Sequence, residues 1–244
     1  MTSQTKTALV TGAATGIGAA LSRALAGAGH RVYGADLSWE DEPETNIQAL
    51  QCDVADVDSV QRCVSRIEEE AGGVDILVNN AAIAGALDLR PFDAIPPEEF
   101  ARVLQTNVLS QFLCSRAVIG HMRRSGWGRI INLTSGTAFI GVPNMLHYIA
   151  SKGAIVSLTR SLATEVGQDG VTVNALAPGL TITEGIESNA AFSQAMRDGV
   201  VASRSIRREE RPDDLAGACV FLASDAAEFL TGQIMVIDGG ATFH

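Results

Sequence analysis

The sequence predicts a doubly wound α/β fold, a parallel sheet with helices on both faces, and three observations predict it. Short apolar runs that close in small or polar residues alternate with stretches whose apolar residues recur at helical spacing. The first of these runs ends in a glycine-rich turn that opens a helix. No linker, repeat or low-complexity stretch interrupts the alternation, so residues 1–244 are read as one domain.

The elements follow in order. "KTALVTG" is an apolar run ending in glycine, and from Gly16 to Ala28 the residues Ile17, Leu21, Ala24, Leu25 and Ala28 fall on one helical face. "RVYGAD" and "IQALQCDV" read as strands, and Val57, Val60, Val64 and Ile67 mark a helix between Val57 and Ala71. "VDILVN", "GRIINLTS", "VTVNALAPG" and "GQIMVIDGG" repeat the strand pattern with helical stretches between them. Strands this apolar are covered on both faces and need right-handed helical crossovers. Residues 180–211 fit the rhythm poorly, because threonine, serine, asparagine and glycine dilute a weakly amphipathic centre; they read as an insertion at the carboxyl edge of the sheet.

Composition excludes several classes of function. A hydrophobic content of 46% suits a chain that buries a core, and the formal charge of −10 opposes binding to nucleic acid or anionic lipid. "MTSQTKTALV" lacks a leader pattern, and no apolar run approaches the roughly 18 residues that span a bilayer, so a soluble cytoplasmic protein is expected. The cysteines at 52, 63, 114 and 219 and the histidines at 30, 121, 147 and 244 are scattered, which predicts reduced thiols and no metal site.

The turn "TGAATGIG" places glycines at 12, 16 and 18. Glycine lets the backbone turn tightly and approach a pyrophosphate, while the following helix presents unpaired N–H groups. About twenty residues on, Asp36 ends its strand where a carboxylate can hold both ribose hydroxyls of an adenosine. The same carboxylate repels a 2′-phosphate, and the turn carries Ala14 and Thr15 where a basic residue would welcome one, so NAD is expected over NADP.

The chain has only two tyrosines and two lysines, yet Tyr148 and Lys152 stand four residues apart in "HYIASK". On a helix that spacing brings both to one face. A phenol with a pKa near 10 is a poor base at neutral pH, but an adjacent ammonium and a cationic nicotinamide ring both favour the phenolate. A fall of about two or three units would suit it to general acid–base work. His147 faces about 100° away from Tyr148 and reads as packing or a subunit contact. Near the end of "RIINLTS", Thr134 and Ser135 both offer a hydroxyl at the carboxyl edge of the sheet, where such folds bind ligands.

Taken in order, "TGAATGIG", "NNAA" at 79–82, Asn107, Ser135, Tyr148 with Lys152, and "PG" at 178–179 resemble the short-chain dehydrogenase/reductase family across nearly the whole chain. The resemblance implies a Rossmann-type domain, assembled as a dimer or tetramer, that moves a hydride between nicotinamide and an alcohol or carbonyl. It selects Ser135 over Thr134 by its spacing to Tyr148, and makes Asn107, Ser135, Tyr148 and Lys152 the catalytic set, with Asn107 helping to hold a water that passes protons towards Lys152. It places Gly12, Thr15, Gly16, Ile17 and Gly18 against the pyrophosphate, Asp36 and Leu37 at the adenosine ribose, and Asp53 and Val54 beside the adenine. Asn79, Asn80, Ala81 and Ala82 then line the cofactor floor, with Pro178, Gly179 and Thr181 beside the nicotinamide. Ala82 departs from the family's usual glycine and adds a methyl near the cofactor.

The substrate signal lies in "GTAFIGVPNML" and in the insertion. Phe139, Val142 and Met145, with Asn144 as a polar contact, and Ile186, Phe192 and Met196 from the insertion, are the candidates to enclose a small, mostly apolar alcohol or carbonyl. "GWGRIINLTS", "PNMLHYIASKGA" and "PGLTITEGI" look most like the family's NAD-dependent aryl alcohol dehydrogenases, such as 1-phenylethanol dehydrogenases and pyridoxal 4-dehydrogenase. Two alternatives stand beside this: a 3-oxoacyl-[acyl-carrier-protein] reductase, disfavoured by the acidic balance, and a non-catalytic NAD(H) sensor or scaffold, which would not need the four catalytic positions together. Ala154, Ile155, Val156, Leu158, Leu162, Ala163 and Val166 cover more than one face of the helix after Tyr148, which predicts a homo-oligomer, with the family's tetramer expected.

Overall fold

In the computed structural model, which describes residues 5–40 and 46–243, seven strands form one parallel sheet. They are β1 (Thr7–Thr11), β2 (Arg31–Asp36), β3 (Ile47–Gln51), β4 (Ile76–Asn79), β5 (Gly128–Leu133), β6 (Val171–Pro178) and β7 (Ile234–Ile237), in the spatial order β3-β2-β1-β4-β5-β6-β7. The helices are α1 (Gly16–Gly27), α2 (Val57–Ala71), α3 (Pro97–Leu104), α4 (Ser110–Ser125), α5 (Leu146–Val166), α6 (Glu184–Ser188), α7 (Gln194–Ser203) and α8 (Ala216–Leu222). The doubly wound reading of the sequence therefore holds.

The period of two along each strand separates the core into two layers. Leu9, Tyr33, Leu77, Ile130 and Val173 face one side, against Val64 and Ile67 of α2, Leu113 and Val118 of α4, and Ala163 of α5. Their neighbours Ala8, Val10, Val32, Ile76, Val78 and Ile131 face the other, against Leu21 and Leu25 of α1 and Cys219 and Leu222 of α8. All four cysteines are buried with free thiols. No helix among the described residues is long and apolar enough to cross a membrane.

Strand order reverses direction between β1 and β4, so their carboxyl ends diverge and leave a crevice there. Two strand ends differ from the sequence reading. β3 stops at Gln51 and leaves Cys52 and Asp53 in the following turn, and β5 stops at Leu133, so Ser135 stands two residues beyond its strand. Ser135 keeps an extended backbone and its Oγ caps the short 3-10 turn Gly136–Phe139. The insertion is more regular than its composition suggests: α6 and α7 enclose a small apolar centre of Ile182, Ile186 and Phe192, and a bridge between Thr181 and Glu210 closes its base.

Candidate active site

A cleft of about 1190 Å³ opens at the carboxyl ends of the strands. One wall is the turn after β1. Gly12 and Gly16 both take the left-handed backbone region, with φ of 64° and 55°. A Cβ on Gly12 would lie 2.9 Å from the Ala81 Cα, and one on Gly16 would lie 3.1 Å from the Thr183 side chain, so glycine keeps this cradle open. α1 begins here without a side-chain cap, and the first N–H groups of a helix have no partner within the helix itself. Gly18 has a different task. A Cβ there would sit 1.9 Å from the Gly12 carbonyl, so this glycine permits helix–strand packing and does not line the cleft.

Asp36 closes one end of the cleft. Its Oδ2 accepts the Ala14 N–H at 2.9 Å and its Oδ1 accepts the Leu37 N–H at 2.8 Å, which fixes the carboxylate at the mouth of the cleft. Leu37, Asp53 and Val54 line the same end. At the floor, the Asn80 amide donates to the carbonyls of Thr11 and Gly12, while Thr11 Oγ1 accepts the N–H groups of Asn80 and Ala81. The turn after β4 is thereby tied to the turn after β1. Asn79, expected on this floor, is buried instead and donates to Asn132 and Ser115, because strand alternation turns it inward. Ala82 lines the cleft, and its methyl is accommodated on an exposed edge.

Tyr148, Lys152 and Ser135 converge on the inner wall. The Lys152 Nζ lies 5.6 Å from the centroid of the Tyr148 ring, as expected for a four-residue spacing on α5, and donates to the Leu133 carbonyl at 2.8 Å. Burial pushes Lys152 down to about 8. It also pushes the Tyr148 phenol up, against a smaller downward pull from its hydrogen bond with Ser135. The expected depression of the phenol is therefore not supplied by the protein alone, since desolvation outweighs the pull of Ser135. Both Thr134 and Ser135 line the cleft, but Thr134 has its hydroxyl committed to the Lys152 carbonyl at 2.7 Å, so the two hydroxyls are separated by partner.

Asn107 stands behind this wall, fully buried on the π-helical turn Gln105–Leu109 that joins α3 to α4. Its Oδ1 accepts the Ile83 N–H at 2.7 Å, and its amide donates to the Ile83 carbonyl at 3.2 Å and to Ser151 Oγ at 3.0 Å. Ser151 Oγ in turn donates to the Tyr148 carbonyl. The side chain therefore braces α5 against the turn after β4. His147 is buried within the chain, its Nε2 3.1 Å from Glu99, and makes an internal contact.

The other end of the cleft is lined by Val142 and Met145 and by Leu180, Ile186, Phe192 and Met196. Phe139 and Asn144 do not line it. Phe139 is half-buried on its 3-10 turn, and Asn144 is exposed in a left-handed conformation with φ of 67°, its carbonyl accepting the Arg90 N–H. Three further contributors escaped the sequence reading. Thr183 packs on Gly16 and lines the cleft together with the expected Thr181, whose hydroxyl donates to Glu210 at 2.8 Å. Glu210 also accepts the Gly179 N–H, and its partner Arg204 donates to the Leu180 carbonyl, so a buried ion pair of 3.3 Å grips residues 179–181. The position of Thr183 five residues after Pro178 could have been read beforehand; the ion pair could not, since its halves stand among other charges in "SRSIRREERPDD".

The sequence profile of the family described as "Enoyl-(Acyl carrier protein) reductase" matches residues 12–242. The chain is 36% identical to a 3alpha-hydroxysteroid dehydrogenase of Mediterraneibacter gnavus, over 97% of this chain and 96% of that one. It is 37% identical to a D-threitol dehydrogenase of Mycolicibacterium smegmatis, over 97% and 93%, and 33% identical to the 3-oxoacyl-[acyl-carrier-protein] reductase FabG of Staphylococcus aureus, over 97% and 98%. Among solved structures, a gluconate dehydrogenase candidate of Agrobacterium tumefaciens superposes with a TM-score of 0.88 at 30% identity, covering 97% of this chain and 95% of that one. The ligand-free aldohexose dehydrogenase of Thermoplasma acidophilum superposes with a TM-score of 0.89 at 28% identity, covering 98% and 94%.

Proposed function

Given that this chain belongs to the short-chain dehydrogenase/reductase family, an oxidoreductase family that uses nicotinamide cofactors, we propose that it is an NAD-dependent dehydrogenase of small, mostly apolar alcohols, aromatic or cyclic in the first instance. The observation that carries the cofactor half is Asp36, a carboxylate fixed by two main-chain N–H groups at the adenosine end of the cleft, with no basic side chain in the adjoining turn. The glycine cradle fits a pyrophosphate, because a Cβ at Gly12 or Gly16 would fill it. Gly12, Thr15, Gly16, Ile17 and Thr183 would hold the phosphates, Asp36 and Leu37 the adenosine ribose, Asp53 and Val54 the adenine, and Pro178 and Gly179 the nicotinamide side.

A bound nicotinamide supplies the acceptor or donor of the hydride at the carbinol carbon. The chain's own residues manage the proton and the developing charge. In oxidation, the Tyr148 phenolate oxygen takes the proton of the substrate hydroxyl, and Ser135 Oγ donates a hydrogen bond to the same substrate oxygen as it becomes a carbonyl. In reduction, the Tyr148 phenol returns that proton. Lys152, held by the Leu133 carbonyl, keeps a cation within reach of the phenol and of the cofactor ribose. Asn107 holds α5 in register with the turn after β4.

The apolar lining at Val142, Met145, Leu180, Ile186, Phe192 and Met196 supports the substrate class over a polyol. A panel of aryl, alicyclic and sugar alcohols, followed as NADH and NADPH absorbance, tests the reading. Turnover of aryl alcohols with NAD is expected; preferential turnover of sugar alcohols, or higher kcat/KM with NADP, would overturn it. FabG at 33% identity favours a second reading, reduction of acyl groups on a carrier protein, and the same panel should then include a carrier-bound 3-oxoacyl substrate. The proposed assembly is a homo-oligomer in the cytoplasm. Ala154, Val156, Leu158 and Leu162 of α5 stay partly exposed beside the exposed Leu109, Phe112 and Leu146, an apolar surface suited to a second copy.

A further inference from the structure

We propose that Thr137 is a positioning residue that makes the Ser135 hydroxyl a one-way donor, directed at the Tyr148 oxygen before turnover and at the substrate oxygen during it. The proposal rests on the assignment of Ser135 and Tyr148 given above.

A serine hydroxyl has one hydrogen to give and two lone pairs to receive. Thr137 places two groups on the Ser135 Oγ: its main-chain N–H at 3.2 Å and its own hydroxyl at 2.9 Å. The N–H can only donate. When the Thr137 hydroxyl donates as well, both lone pairs are occupied, and the Ser135 hydrogen must go elsewhere. Two oxygens remain for it. The Pro178 carbonyl is at 3.5 Å, at the limit of a useful hydrogen bond, and the other is the Tyr148 phenol, which lines the same cleft wall and is pulled downward by Ser135. Ser135 is buried, so solvent does not compete for the hydrogen.

The arrangement is local and firm. Ser135 caps the turn Gly136–Phe139 that contains Thr137, and the Ala138 N–H bonds back to the Ser135 carbonyl, so two residues of chain fix the contact. Among the described residues, Ser135 is the one hydrogen-bond partner of the Thr137 side chain. A β-branched side chain also has few rotamers to explore, which suits a fixed donor. The consequence is chemical. Donation from Ser135 favours a phenolate at Tyr148 and, once substrate is present, favours the oxygen on which negative charge develops. The opposite orientation, with Ser135 donating to Thr137, would turn the hydrogen away from the phenol, and removing the Thr137 hydroxyl would then help the enzyme.

The two orientations make opposite predictions for Thr137→Val, which keeps the main-chain N–H and the branched shape. With only two tyrosines in the chain, subtracting a Tyr148→Phe blank isolates the tyrosinate absorbance of Tyr148, measured in the NAD-saturated protein without any substrate. We expect the titration midpoint of Tyr148 to rise by about half to one pH unit in Thr137→Val, as for loss of one hydrogen bond to the charged form. Turnover of the probe alcohol 1-phenylethanol should fall about fivefold to tenfold, while the fluorescence-measured Kd for NADH stays within about twofold. Thr137→Ser should restore both values, and Thr137→Ala, a second hydroxyl-free variant, should reproduce the shift. An unchanged or lowered midpoint in the hydroxyl-free variants overturns the proposal. If Tyr148→Phe itself retains turnover, the assignment of the acid–base residue fails; if it is inactive while Thr137→Val matches the parent, the role of Thr137 alone fails.

Discussion

Asp36 Oδ2 accepts the Ala14 N–H at 2.9 Å, so the carboxylate that ends β2 is fastened to the glycine turn that follows β1. A 2′-phosphate entering here would meet a fixed negative charge. Asp36→Asn keeps the shape and removes the charge, and should raise the ratio of NADP to NAD efficiency by about tenfold or more, since like charges at about 4 Å near a surface repel by several kcal/mol. Steady-state kcat/KM with both cofactors checks this.

Tyr148 is the proposed proton carrier to the substrate oxygen. Tyr148→Phe should lower kcat by at least about a thousandfold, within the range general acid–base catalysis supplies, and leave NADH affinity within about twofold. Stopped-flow hydride transfer and fluorescence titration separate the two effects.

Burial raises the Tyr148 phenol and lowers Lys152 to about 8. Oxidation requires the phenolate, so its rate should climb with pH from 7 towards 9, while reduction, which requires the phenol, should persist at neutral pH. Parallel pH profiles in the two directions would contradict this. For stability the sign follows from Lys152 holding its proton less tightly when folded than the ordinary 10.5: the unfolded chain binds more protons between about 8 and 10.5, so this group's contribution to stability increases as pH rises through that window. The Tm of Lys152→Met should accordingly exceed that of the parent at pH 7, with the gap narrowing above pH 8 in calorimetry.

The ion pair of Arg204 with Glu210 is buried, and breaking one half leaves the other charge without compensation. Glu210→Ala should destabilise the fold by about 3–5 kcal/mol, and Tm should fall by about 10 °C for a chain of this size. Because Glu210 also holds Gly179 and Thr181, KM for the cofactor should rise more than kcat falls.

Asn107→Ala removes the partners of the Ile83 N–H and carbonyl in one step. Each unpaired buried group costs about 1–3 kcal/mol, so this variant should lose both Tm and activity, unlike Tyr148→Phe, which should lose activity alone.

Much of this was legible in the chain. The strands announce themselves as short apolar runs, Gly12 and Gly16 by their place between strand and helix, and Tyr148 with Lys152 by a spacing that only a helix makes meaningful. These are local signals, and local geometry carries them. The errors are of another kind. Asn79 and Asn80 are adjacent letters, yet one enters a buried network and the other the cleft floor. Phe139 and Asn144 lie among lining residues in sequence but do not line the cleft themselves, one standing on a 3-10 turn and the other in left-handed backbone. Such directions depend on which face a neighbouring element leaves open.

By itself the sequence determined the parallel, doubly wound layering, the glycine cradle, the carboxylate at the end of β2 and the helical pairing of Tyr148 with Lys152, because each follows from periodicity or spacing within one or two elements. Only the tertiary structure decided that burial raises Tyr148, that Asn107 ties α5 to the turn after β4, that Arg204 and Glu210 close on residues 179–181, and that Thr137 bears on Ser135. Desolvation and hydrogen-bond partnership are properties of what the fold brings alongside a group, and even the two-residue contact of Thr137 with Ser135 exists only because the chain turns sharply at Gly136 after leaving the sheet.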